Sequence, residues 1–315
     1  MFTFVLYNSS VYAKTRNDTV KPHGVPPATM KQKAGFPMES TRSSTRVCML
    51  VTAFITLLGV ILRSLCILTA FDTTVGYFDE GLTVTLANLL PFAAVAAAAV
   101  TAALIRKDTL PRELNTPCRL PAAYLAGLAL VAFTLGVLLT CYAERTNKFV
   151  AAPMALGILA SLYFFLSARK NGRYSDGLCA LGFLPVVWCV SAAWETYSDQ
   201  FTAMNSPIKI SLQMGFLGLA LILISELRFR LGKPLPRVAA ALMSIGVFFS
   251  LTGSVPVLLG TGARVLSNEL HLFYAAALLC GGLYGAYTLF HFLWSPAAIP
   301  AEEPAESPAD TPNAE

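Results

Sequence analysis

Seven polar residues stand inside otherwise apolar stretches of this chain: Arg63, Asn88, Glu195, Gln213, Ser250, Ser254 and His271. Their types define what chemistry they could do. A guanidinium holds an anion, a carboxylate carries a proton or a cation, and amides and hydroxyls line the path of a polar solute. In hydrocarbon such groups are costly unless they face one another or a cavity. Helical spacing gathers some of them. Trp188, Ser191, Glu195 and Ser198 recur at intervals of three and four, on one helix face, and Lys209 and Gln213 are four apart. Pro91, Pro153 and Pro256 can free backbone carbonyls nearby. Together they predict a polar pocket at one end of a helical bundle. Arg63 and Glu195 are expected to pair there directly or through water, with Lys209 a rival partner for Glu195.

A plainer reading stands beside this one. Arg63 can snorkel to the interface on its long stem. Asn88 and Gln213 can act as interhelical glue, worth about 0.6 kcal/mol each.

Other constellations are missing from the sequence. It has no G-x-x-x-x-G-K-[ST] loop, no H-E-x-x-H helix and no G-x-S-x-G elbow. His271 and His291 are twenty residues apart, about 30 Å along a helix, so they cannot share a metal. The remaining histidine, His23, lies far upstream, so neither a metal site nor a haem or other cofactor is expected. Seven cysteines include no C-x-x-C pair and read as small packing residues. Gly281 and Gly285 form a G-x-x-x-G on which another helix of the same chain can pack closely.

The elements that would position these residues are long and apolar. The chain is 55% hydrophobic and 13% charged, with mean hydropathy +0.60, against about 25% charged in soluble domains. A crossing needs roughly 20 apolar residues. Eight such stretches occur, at 47–71, 82–105, 120–142, 149–168, 177–197, 207–227, 236–260 and 269–294. The fold class is therefore all-α, a polytopic transmembrane bundle in contact with the lipid bilayer. Leu110-Pro111-Arg112 and Leu235-Pro236-Arg237 raise a four-plus-four pseudo-repeat, although little else aligns.

Basic residues set the expected orientation. Eighteen lie in the N-terminal stretch and at the second, fourth and sixth loops, among them Lys14, Arg46, Arg106, Arg173 and Arg237. The other loops and their edges hold four: Arg145, Lys148, Lys209 and Arg264. Both termini are thus expected in the cytoplasm. The net charge of +5 follows from this bias and does not indicate nucleic acid.

Residues 1–46 are basic, polar and without apolar period, and are expected to be disordered, as is the Pro/Ala/acidic tail 295–315. Met38 or Met30 could be the natural start, since Met38 opens a compact polar leader to the first span.

The loop Phe71-Asp72-Thr73-Thr74-Val75-Gly76-Tyr77-Phe78-Asp79-Glu80-Gly81 is acidic, aromatic and expected to turn tightly. With Arg63 upstream it resembles a group of uncharacterised multi-span integral membrane proteins of clostridia-like bacteria. These carry an Arg late in the first span and an Asp…Thr-Gly-[Tyr/Phe]-Phe-like loop. Val75 before the Gly departs from that pattern, and the resemblance covers the first two spans. It implies a bacterial cytoplasmic-membrane protein and carries no activity.

Two function classes follow: a transport or permease-like component with an outward-facing polar pocket, or a non-catalytic scaffold or sensor. An intramembrane enzyme ranks third, because no acid–base or nucleophile set is present. Transport of a small molecule or ion would need a partner ATPase, an ion gradient or passive flow.

Overall fold

In a computed structural model, residues 38–105, 110, 111, 114, 119–144, 151–170, 173–199, 202, 203, 205–266 and 269–294 are described. They form nine helices and one small hairpin: α1 (Met38–Thr69), β1 (Phe71–Asp72), β2 (Tyr77–Phe78), α2 (Leu82–Leu104), α3 (Arg119–Glu144), α4 (Ala151–Ser167), α5 (Asp176–Leu181), α6 (Phe183–Ser198), α7 (Pro207–Arg230), α8 (Pro236–Gly262) and α9 (Glu269–Trp294). Taking α5 and α6 as one span, seven helices are long and apolar enough to cross a membrane, and α4 contributes a shorter apolar helix over Pro153–Ser167. The all-α membrane bundle expected from composition is what the chain forms.

Pairwise contacts show the path. Thr134 on α3 meets Met154 on α4, while Tyr124 meets Phe165, so these two helices are antiparallel. Trp188 packs on Phe216 and Gly182 lies against Leu227, which makes α6 and α7 antiparallel too. Arg63 reaches Asn88 and Cys48 reaches Thr101, giving the same relation for α1 and α2. In each of these pairs the chain reverses direction, and α4 lies antiparallel against α3 as the shorter apolar helix.

Lipid-facing and core-facing sides divide cleanly. On α1, Leu50, Phe54, Leu57, Ile61, Leu65 and Leu68 are exposed at intervals of three and four. That apolar stripe belongs against acyl chains. The densest core joins α7, α8 and α9. Glycines let α7 and α8 approach: a Cβ on Gly218 would meet the Gly246 carbonyl at 2.9 Å, and one on Gly253 the Ser211 carbonyl at 2.5 Å. Gly281 and Gly285 accept Leu219 and Ile222 of α7, so that G-x-x-x-G packs within the chain. By contrast α2 makes no comparable seam with α3, so a four-plus-four repeat does not organise the packing.

Some boundaries differ from expectation, each for a local reason. Residues 38–46, expected to be disordered, begin α1, because extending an existing helix costs little once a span has nucleated it. The fifth span is interrupted at Gly182. Pro185 cannot donate to the Leu181 carbonyl and crowds it, which favours a break one turn earlier. α7 runs three residues past 227, because Arg230 is buried and paired rather than solvated. It ends in a Schellman motif: Gly232 at φ 71 donates to Phe229 O, and Lys233 N to Arg228 O. Pro153 falls in the first turn of α4, where the missing N–H breaks no helical bond. The expectations for 1–37 and 295–315 fall outside the described residues.

Candidate functional site

At the end of the bundle that carries the hairpin, the first turn of α7 separates two polar clusters. One faces α1 and α2. Arg63 Nε and Nη2 donate to Ser211 Oγ at 3.1 and 2.8 Å. Its Nη2 also donates to Pro207 O at 3.2 Å, and its Nη1 to Asn88 Oδ1 at 3.1 Å. Ser211 passes the contact on, donating to Pro207 O at 2.6 Å. The Phe78 ring of the hairpin covers the guanidinium at 5.2 Å.

That hairpin is anchored from both sides. Asp79 N donates to Ala70 O, and Gly76, at φ 79, donates to Asp72 O. The Asp72 carboxylate accepts from Thr74 N at 2.7 Å, which holds its pKa below the ordinary carboxylate value.

The second cluster faces α6 and α9. Glu195 is 2% exposed, with the Tyr274 hydroxyl, Asp199 and Lys209 as its polar neighbours. Asp199 Oδ2 lies 3.4 Å from His271 Nε2 and accepts from Thr202 Oγ1 at 2.7 Å. Lys209, 1% exposed, donates to the carbonyls of Tyr197, Asp199 and Thr202. A cation there meets the negative end of the α6 dipole as well as unsatisfied terminal carbonyls. Below the cluster, Phe133, Trp188, Phe216 and Tyr274 close a ring of aromatic contacts with centroids 4.8 to 5.6 Å apart.

The expected pairing of Arg63 with Glu195 does not form. α6 packs on α4 and α7, whereas α1 packs on α2 and α8, so α7 stands between the two charges. Lys209, the rival, spends its protons on carbonyls with Glu195 close by. Arg63 and Asn88 are brought together, and so are Glu195 and His271, through Asp199 and Tyr274. Gln213 is half-buried on α7. Ser250 donates to Gly215 O at 3.2 Å and Ser254 to Ser250 O at 2.7 Å. Ser250 ties α8 to α7, Ser254 bonds within α8, and both stand outside the two clusters.

A third network, unforeseen from sequence, lies at the opposite end. Arg230 Nε is 3.5 Å from Glu226 Oε1, both side chains fully buried. Tyr284 donates to Glu226 Oε2 at 2.6 Å, Arg230 Nη1 donates to Leu114 O at 2.8 Å, and the Tyr174 ring lies 4.6 Å from the guanidinium. The i, i+4 spacing of Glu226 and Arg230 was the available signal. Asp199, Ser211 and Tyr274 carried none, because a lone polar group near a span end reads as interfacial.

Between α1, α2 and α8 a void of about 10 Å³ is lined by Thr56, Ser244 and Ala98 among others, and the Thr56 and Ser244 hydroxyls have no protein partner. It has room for one bridging water. Among the described residues no group of three or more His, Cys, Asp or Glu side chains could hold a metal ion, and the described cysteines are free thiols.

These features define a multi-pass integral membrane protein with polar clusters at each end of an apolar bundle. Set against protein-family models, curated proteins and solved structures, the chain matches none.

Proposed function

We propose that this protein is a transport component of a bacterial cytoplasmic membrane, with both termini cytoplasmic and the hairpin end facing outward. One observation carries the reading. Glu195, Asp199, Lys209 and His271 are each less than a tenth exposed and gathered at the ends of three spans. Ionisable groups held within membrane helices mark ion and substrate paths and proton relays more often than they serve packing. Two carboxylates, an imidazole and a phenol in succession suit coupling of a small polar solute to proton movement. Such a carrier draws on an ion gradient and needs no ATPase partner. The excess of Lys and Arg at one set of loops supports the orientation, and the Arg63-plus-hairpin resemblance supports the bacterial membrane.

The aromatic ring beneath the cluster favours a second reading, a scaffold whose centre is filled by packing. Proteoliposomes loaded with a pH-sensitive dye decide between them when challenged with pools of amino acids, sugars and organic acids. Carrier function predicts proton movement with at least one pool and its loss in Glu195→Gln, with the variant still monodisperse. No proton movement with any pool leaves the scaffold.

A further inference from the structure

Among the described residues, Arg63 has a charge that no carboxylate balances. Its four hydrogen bonds go to neutral acceptors: a serine hydroxyl twice, an amide oxygen and a backbone carbonyl. Among the described residues no carboxylate lies within ion-pair distance of it. The fully buried cations differ: Arg230 has Glu226 at 3.5 Å, and Lys209 has Glu195 as a charged neighbour.

The surroundings add positive potential. Arg63, on α1, packs against the first turn of α7, a helix of 24 residues whose N-terminal end is the positive pole of its dipole. A helix start of this kind usually carries Asp or Glu, and this first turn has none. Phe78 presents its ring to one side of the guanidinium and screens it from water. On the other side the site is open. Asn88 is exposed, and it spends only its Oδ1 on Arg63, leaving the amide nitrogen free to donate. A guanidinium has five N–H groups, and one Nη1 hydrogen remains after the observed bonds. The Nη1 hydrogen and the Asn88 amide leave two donors at the rim of the α1–α2 pair, beside a net positive charge.

We propose that Arg63 and Asn88 form a binding site for a phosphate oxyanion at this rim. The ligand supplies the missing counter-charge and accepts from Arg63 Nη1 and Asn88 Nδ2, an arrangement for which a tetrahedral oxyanion is suited. Phosphate can arrive as the headgroup of an anionic lipid or as a free ion. The site is separate from the Glu195 cluster, so it stands or falls independently of the transport reading.

The test uses the full chain in maltoside micelles, which carry no anionic group. Thermal melts are recorded on titrating inorganic phosphate against chloride at equal ionic strength, and separately on adding phosphatidylglycerol against diacylglycerol, which lacks the phosphate. The expected result is a rise in Tm with one of the two phosphate sources and not with its control. A rise with inorganic phosphate identifies a soluble anion, and a rise confined to phosphatidylglycerol identifies a lipid headgroup. Arg63→Gln should weaken the apparent affinity at least about tenfold, as expected for one charge-assisted contact. Asn88→Asp gives an independent arm on an exposed residue. Its carboxylate supplies the counter-charge from within, so it should raise the basal Tm and abolish the response. No response from wild-type protein to either source overturns the proposal, as does an undiminished response in Asn88→Asp.

Discussion

A fully buried ion pair is held by its surroundings as much as by its own attraction. Glu226 and Arg230 show this: Tyr284, Leu114 O and the Tyr174 ring occupy the positions that water would otherwise take. Arg230→Ala strands a carboxylate in the bundle and should destabilise by about 3–5 kcal/mol. Replacing both partners, as Glu226→Gln with Arg230→Met, removes the stranded charge and should cost clearly less than the two single losses together. Thermal melts of the purified variants in detergent measure this, and strictly additive losses would show the two side chains to be independent. The contrast with Arg63 is instructive. Both arginines could be read from sequence as residues near a span end. The carboxylate of Arg230 lies one turn back on its own helix and could be read from the i, i+4 spacing, whereas the neutral acceptors of Arg63 come from other helices and could not.

At the scale of elements, the α7–α8 seam depends on missing side chains. A Cβ on Gly246 would meet Gly218 O at 2.5 Å and Ile222 at 2.6 Å. Backbone on one side leaves little room to adjust, so Gly246→Ala should cost about 1–3 kcal/mol through overpacking. Gly177→Ala, with nothing within 4 Å of the added methyl, should be neutral or stabilise by up to about 1 kcal/mol. Equal effects at the two positions would deny the seam its role. The eight apolar helical stretches were legible, seven of them long enough to cross a membrane, because apolar length is a local property. Even the stretch Thr252-Gly253-Ser254-Val255-Pro256, which looks like a loop, stays helical within α8. Its Gly253 lies against Ser211 O, and its hydroxyls bond back one turn.

At the scale of the whole molecule, the order in which helices pack was not legible. In water a buried face is more apolar than an exposed one. Here Leu50, Phe54 and Leu57 face lipid with the same chemistry as Leu212, Leu219 and Leu223 in the core. The 3.6-residue signal that would assign neighbours is therefore flat, and the polar residues were assembled into one pocket, whereas Arg63 with Asn88 and Glu195 with His271 lie on opposite sides of α7 and Ser250 and Ser254 lie in neither cluster. Orientation rests on charge rather than on packing. A reporter active only outside the cytoplasm should be silent when fused after Trp294 and active when fused after Asp79. The reverse pattern would invert the whole assignment and place the Glu195 cluster on the cytoplasmic side.

Lys209 has a consequence for biogenesis. Its ammonium satisfies carbonyls at the end of α6, a helix that emerges from the ribosome first. Until α7 follows, those carbonyls lack their partner, and Lys209 entering lipid alone would face hydrocarbon with a bare charge. Each helix completes what the other lacks, so α6 and α7 are most stable in the bilayer once they have left the translocon as a pair. The short connection from Asp199 to Ser206 keeps them close enough to do so.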